Sequence, residues 1–146
     1  APSRKHQYLI SELLLEIKLF IRRKKGECHA YTSPFDVRLF KDEKTIVQPD
    51  VFVICNKDIL TDKGCTGAPD WIVEVVSENN SSHDYIRKLM QYQKAGVREY
   101  WIVDPFQELV SVMNFEDAAK SGQFSEYRSA TACRATTQPF SNSCNL

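Results

Sequence analysis

Two acidic residues stand inside apolar runs. Asp50 follows Pro49 within residues 46–55, and Glu74 sits in the middle of Trp71-Ile72-Val73-Glu74-Val75-Val76. A carboxylate is almost never left buried without a partner or a metal. If the two face the same side of neighbouring strands, at ~4 Å they repel by roughly 4 kcal/mol at an effective dielectric of about 20. That is a large share of the ~5–15 kcal/mol that holds a small domain together. A cation, a shared proton or an adjacent lysine must relieve it. Hard oxygen donors suit magnesium or manganese, which keep several waters and can hold a phosphate oxygen. The next segment supplies the opposite charge: on a helix, Asp84, Lys88 and Gln91 form one polar stripe beside a packing stripe of Tyr85, Leu89 and Tyr92. Laid over the carboxylates, Lys88 would orient or deprotonate a water and steady a developing negative charge. Taken singly, Asp84 reads as a helix cap and Lys88 as half of an Asp84–Lys88 surface pair worth only ~0.3–0.5 kcal/mol. Glu74 is the residue that resists an ordinary explanation.

The elements that must position these residues follow from periodicity. Residues 3–25 read as a helix with Leu9, Ile10, Leu13, Leu14, Ile17, Phe20 and Ile21 on one face, Ser3 as N-cap and Gly26 as its stop. Arg22 to Lys25 reads as a solvated, cationic last turn. His6 falls on the apolar side and reads as a packed first-turn histidine. Glu12 and Glu16 lie one turn apart near the border of that face and read as salt-bridging surface acids. Residues 28–33 make a weak strand, 35–40 alternate with period two, and 46–55 make the next strand, with Pro49 marking an edge or a bulge. Residues 56–69 read as a loop. Residues 70–77 are apolar on both sides of the alternation, the pattern of a central strand covered on both faces. Ser81-Ser82-His83-Asp84 matches a capping box, opening a helix of about 82–95 that Gly96 stops. Strands at 98–104, 108–115 and 124–128 complete the pattern; the last ~15 residues give weak signals. The expectation is a single α/β domain over residues 1–146, a mixed central β-sheet flanked by the N-terminal helix and the second helix.

The totals narrow the function classes. A chain of 146 residues, 42% hydrophobic and 26% charged, describes a globular protein, not a disordered one. Nineteen basic and nineteen acidic residues cancel, so overall charge does not advertise nucleic-acid binding and a local patch would have to supply it. Lys57, Lys63, Arg87, Lys94 and Arg98 are the basic candidates, scattered enough to read as ordinary surface charge. Cys28, Cys55, Cys65, Cys133 and Cys144 are odd in number and form no C-x-x-C, so neither a disulfide framework nor a zinc site is expected; reduced thiols are. Cys28 beside His29 fails as a ligand pair, because adjacent strand residues point to opposite faces. No run approaches the ~20 apolar residues of a membrane span, and the start lacks a signal peptide's apolar segment. A soluble cytoplasmic location is expected.

Pro49-Asp50, Glu74-Val75-Val76-Ser77, Asp84-x-x-x-Lys88-x-x-x-Tyr92, Ala95-Gly96-Val97 and Glu99-Tyr100-Trp101-Ile102-Val103-Asp104-Pro105 occur in that order. The set closely resembles the Uma-type restriction endonuclease family of the PD-(D/E)XK nuclease superfamily, strongly over residues 46–112 and more loosely outside them. The resemblance implies a restriction-endonuclease-like core and metal-dependent phosphodiester hydrolysis. It makes Asp50 and Glu74 the metal-binding acids, with the backbone carbonyl of Val75 as a third ligand candidate. The superfamily lysine belongs two residues after the glutamate, where this chain has Val76. Lys88, from the following helix, is expected to replace it, and Glu12 or Glu16 to complete the metal shell.

The leading expectation is therefore a magnesium- or manganese-dependent endonuclease acting on DNA through Asp50, Glu74 and Lys88, with a homodimer suited to cutting two strands. Two rivals stand beside it. Val76 and the zero net charge suit a nucleic-acid-binding or regulatory module without chemistry. Trp71, Trp101 and exposed aromatics suit a self-assembling protein with no nucleic-acid role.

Overall fold

The structure, a computed structural model, describes residues 2–41, 45–78, 82–116 and 125–128. In chain order the elements are α1 (Arg4–Arg23), β1 (His29–Thr32), β2 (Asp36–Arg38), β3 (Ile46–Val47) and β4 (Val51–Ile54). A 3-10 turn (Lys57–Ile59), β5 (Leu60–Thr61), β6 (Gly64–Thr66) and β7 (Trp71–Val75) follow. The remainder is α2 (Ser82–Ala95), β8 (Glu99–Asp104), β9 (Leu109–Asn114) and β10 (Ser125–Arg128).

The main sheet runs β1-β4-β7-β8-β9-β10. It is mixed: β7 and β8 are parallel, joined through α2, and the other neighbours are antiparallel. The expected α/β class with its two helices is what forms. Every residue of β7 is buried, because both faces are covered. On one face Val51, Val53, Val73, Val75 and Trp101 meet Ile10, Ile17 and Ile21 of α1. On the other, Phe52, Ile54, Ile72 and Tyr100 meet Tyr92 of α2, Val37 of β2 and Leu39 just after it. Alternation along β4 and β7 thus feeds two cores at once.

Four readings are corrected. Residues 46–55 are not one strand: β3 belongs to a second sheet, of order β3-β2-β6-β5, and β4 to the interior of the main one. Pro49 marks the passage between sheets, fully buried, not an edge. Residues 56–69 are not a plain loop, since β5 and β6 form a hairpin whose Gly64 leaves no room for a side chain: a Cβ there would lie 2.3 Å from the Asp36 carbonyl oxygen. At the end of α1 the left-handed residue is Lys25 (φ 53°), one before the expected Gly26, whose N–H reaches back to the Ile21 carbonyl.

Cys28 and Cys55 form a disulfide, contrary to the expectation of reduced thiols. They stand one step beyond the His29–Ile54 pair of the β1–β4 ladder, so folding sets them directly opposite. Cys65 is a buried free thiol, pushed up to about 11 by burial. Ser81, the expected N-cap of α2, and the C-terminal stretch with Cys133 and Cys144 lie outside the described residues.

Candidate active site

The site forms where β4 begins and β7 ends. Antiparallel pairing of Val51 with Val73 puts Asp50 level with Glu74. Asp50 Oδ2 accepts the Val75 N–H at 2.8 Å, and His6 Nε2 stands 3.3 Å from the same oxygen and 3.1 Å from the Val75 carbonyl oxygen. His6 gets there because Ser3, the N-cap, accepts the His6 backbone N–H and starts α1 in that register. Lys5 Nζ donates to the Pro105 carbonyl at 3.2 Å, tying the same turn to the end of β8.

Glu74 is 4% exposed, and α2 answers it with two donors on one oxygen. Tyr92 OH donates to Oε1 at 2.7 Å and Lys88 Nζ lies 3.1 Å from it. Burial raises the Glu74 carboxyl above the usual range; Lys88 and Tyr92 pull it down without cancelling that, while Asp50 adds to the rise. Burial works to lower the Lys88 ammonium, but Glu74, Asp84 and Asp50 outweigh it, so Lys88 sits above the ordinary lysine value. A lysine held in its charged form donates and attracts; it does not remove a proton from water. Of the roles expected for Lys88, steadying negative charge is the one this raised value favours. Burial, then Glu74, raises Tyr92, which stays a phenol and a donor. The repulsion between the two acids is thus relieved by Lys88 and Tyr92 on Glu74, and by the Val75 N–H and His6 on Asp50.

Asp84 is no mere cap. It pairs with Arg87 at 2.7 Å and with Lys88 at 3.6 Å, and the Arg87 hydrogen bond leads the causes that hold its carboxyl low. Glu12 and Glu16 are exposed on α1; His6, not either glutamate, is the α1 side chain that reaches Asp50. Its signal in the sequence was a histidine on the apolar side of a first turn, which burial alone explained equally well. Arg98 pairs with Asp70 and Glu116, Lys94 stands over the Phe40 ring, and Lys57 and Lys63 are exposed by the β5–β6 hairpin. Trp71 and Trp101 are buried edge-to-face against each other, which removes them from any exposed interface. Cys28, in its disulfide, offers no thiolate to a metal.

Among the described residues no group of three or more His, Cys, Asp or Glu side chains is placed to hold a metal ion. The donor set that does assemble is open: two carboxylates, each gripped through a single oxygen, with the Val75 carbonyl beside them. Such a set fits a magnesium-type ion, which takes one or two carboxylates and leaves its other positions to water and phosphate.

This is a mixed-sheet α/β protein of a nuclease-type fold. A crystal structure of a "putative nuclease belonging to DUF820" from Anabaena variabilis superposes with a TM-score of 0.69 at 20% identity, covering 86% of this chain and 68% of that one. The chain belongs to the Uma2 family, described as "Putative restriction endonuclease", whose sequence model matches residues 1–138. Membership supports nuclease chemistry in general terms. No curated protein matches the chain. Among the described residues no helix is long and apolar enough to cross a membrane.

Proposed function

We propose that residues 1–146 form one domain that hydrolyses DNA phosphodiester bonds as an endonuclease, with a magnesium or manganese ion. The observation that carries this reading is the convergence of Lys88 from α2 on Glu74 of β7, level with Asp50 of β4. The Asp50 and Glu74 carboxylates and the Val75 carbonyl would hold the cation. When bound, it supplies Lewis-acid charge to a phosphoryl oxygen and acidifies a water. Lys88, held charged, offers fixed positive charge to the phosphate as negative charge develops on it, the role Val76 cannot fill. Tyr92 grips Glu74 through Oε1 and leaves Oε2 for the ion. A two-fold dimer would present one such site to each strand of a duplex. The site of action expected from the sequence is the cytoplasm, where a disulfide such as Cys28–Cys55 is rarely kept.

The test is nicking of supercoiled plasmid with manganese. Wild type is expected to cut, Glu74→Ala to lose cutting, and Lys88→Met to lose about 10²–10³ in rate, the usual effect of deleting one charge-stabilising donor. Equal cutting by wild type and Glu74→Ala sinks the assignment. Salt-dependent DNA retention without cutting under any metal would return the non-catalytic module.

A further inference from the structure

The His6 imidazole does more than pack. The residue is 9% exposed, its Nε2 faces two oxygens, Val75 O at 3.1 Å and Asp50 Oδ2 at 3.3 Å, and its Nδ1 is buried without a partner among the described residues. The carbonyl oxygen is only an acceptor and the carboxylate oxygen already accepts the Val75 N–H, so the nitrogen facing them must carry the hydrogen. A hydrogen on Nδ1 instead would set a lone pair against two acceptors and bury an unmatched donor. The same geometry separates two roles. A histidine that ligates a cation offers a lone pair there and ordinarily donates through its other nitrogen to a carboxylate or carbonyl. With its hydrogen there, Nε2 has no lone pair to offer, and Nδ1 meets no acceptor among the described residues.

We propose that His6 is a positioning residue of the candidate centre and not a metal ligand. Its Nε2–H clamps Asp50 Oδ2 and the Val75 carbonyl from α1, so that Asp50 presents Oδ1 outward. The consequence for metal binding rests on the proposed nuclease function; the clamp itself does not. Asp50 is then held from two elements at once, by the backbone of β7 and by the first turn of α1. That turn is itself fixed by the Ser3 cap and by Lys5 on the Pro105 carbonyl. Helix α1, which brings neither Glu12 nor Glu16 to the acids, enters the site through this one side chain.

Two measurements decide it. Nitrogen NMR of the imidazole side chains, with the His6 signals assigned by their loss in His6→Gln, is expected to show a hydrogen on Nε2. A hydrogen on Nδ1 alone overturns the clamp. Calorimetric titration of manganese, with a short duplex present, is expected to show about 10–100-fold weaker binding in His6→Ala and partial recovery in His6→Gln, which keeps a donor of similar reach. Melting curves confirm that both variants are folded, and His6→Gln decides alone if His6→Ala is not. Unchanged manganese affinity in the folded variants, or nitrogen hyperfine coupling to bound manganese that His6→Gln abolishes, overturns the positioning role. Failure of wild type to bind manganese at all would count against the nuclease reading, while the NMR result still decides the clamp.

Discussion

At the scale of single residues, the site is an exercise in keeping buried acids tolerable. Tyr92 and Lys88 share Glu74 Oε1, and a hydrogen bond to a charged group contributes about 1.5–3 kcal/mol. Tyr92→Phe is therefore expected to lower the unfolding free energy by about 1–3 kcal/mol in urea melts; no change would mean the phenol serves packing alone. Glu74 also sets a pH dependence. Between the unfolded value, 4.5, and the folded one that burial raises, its carboxyl holds a proton in the folded chain that the unfolded chain has released; above both it is the carboxylate that Lys88 and Tyr92 grip. Its contribution to stability is thus fully present below the unfolded value, 4.5, and is lost as pH rises through the folded one. Thermal melts at a series of pH values should show wild type losing ground to the non-titrating Glu74→Gln as pH climbs above 4.5. Parallel curves would show that burial does not shift this group.

At the scale of elements, helix ends decide where side chains arrive. The Ser3 cap sets the register that carries His6 to Asp50, and the far end of α1 stops on Lys25 in the left-handed region. An L side chain there costs about 1 kcal/mol, so Lys25→Gly should raise stability by about that amount in thermal melts. A loss instead would mean the Lys25 side chain makes a contact worth more than the strain. Helix periodicity announced both helices, because each lays one apolar face on the sheet and the spacing of that face is local. That a second, small sheet exists was not legible. Of its strands only β2 showed in the sequence, inside the alternating run 35–40; β3 ran on into β4 without a visible break, and β5 and β6, two and three residues long, are too short for an alternation to emerge from the glycines, lysines and aspartates around them.

At the scale of the whole molecule, the β1–β4 edge is closed covalently. The Cys28–Cys55 bridge spans 27 residues, and a loop of that length is expected to contribute about 3.5 kcal/mol by restricting the unfolded chain. Comparing wild type with the Cys28→Ser/Cys55→Ser double variant by denaturant melts checks this; coincident curves would show that the bridge adds nothing. Cys count could not reveal the pair, since an odd total allows any partner and only the ladder chooses one. The same division runs through the candidate site. Asp50 and Glu74 were marked in the sequence because a carboxylate in an apolar strand violates local patterning, and a violation is visible one residue at a time; Lys88 stood out only as part of a polar helix stripe, and Val75 only through the family resemblance. What pairs with what was a matter of three dimensions. That Lys88 and Tyr92 meet one oxygen of Glu74, that His6 and not Glu12 or Glu16 meets Asp50, and that two tryptophans lie buried together all depend on which faces of separate elements are pressed into contact. Hydrophobic periodicity states that a face is buried. Packing alone states against what.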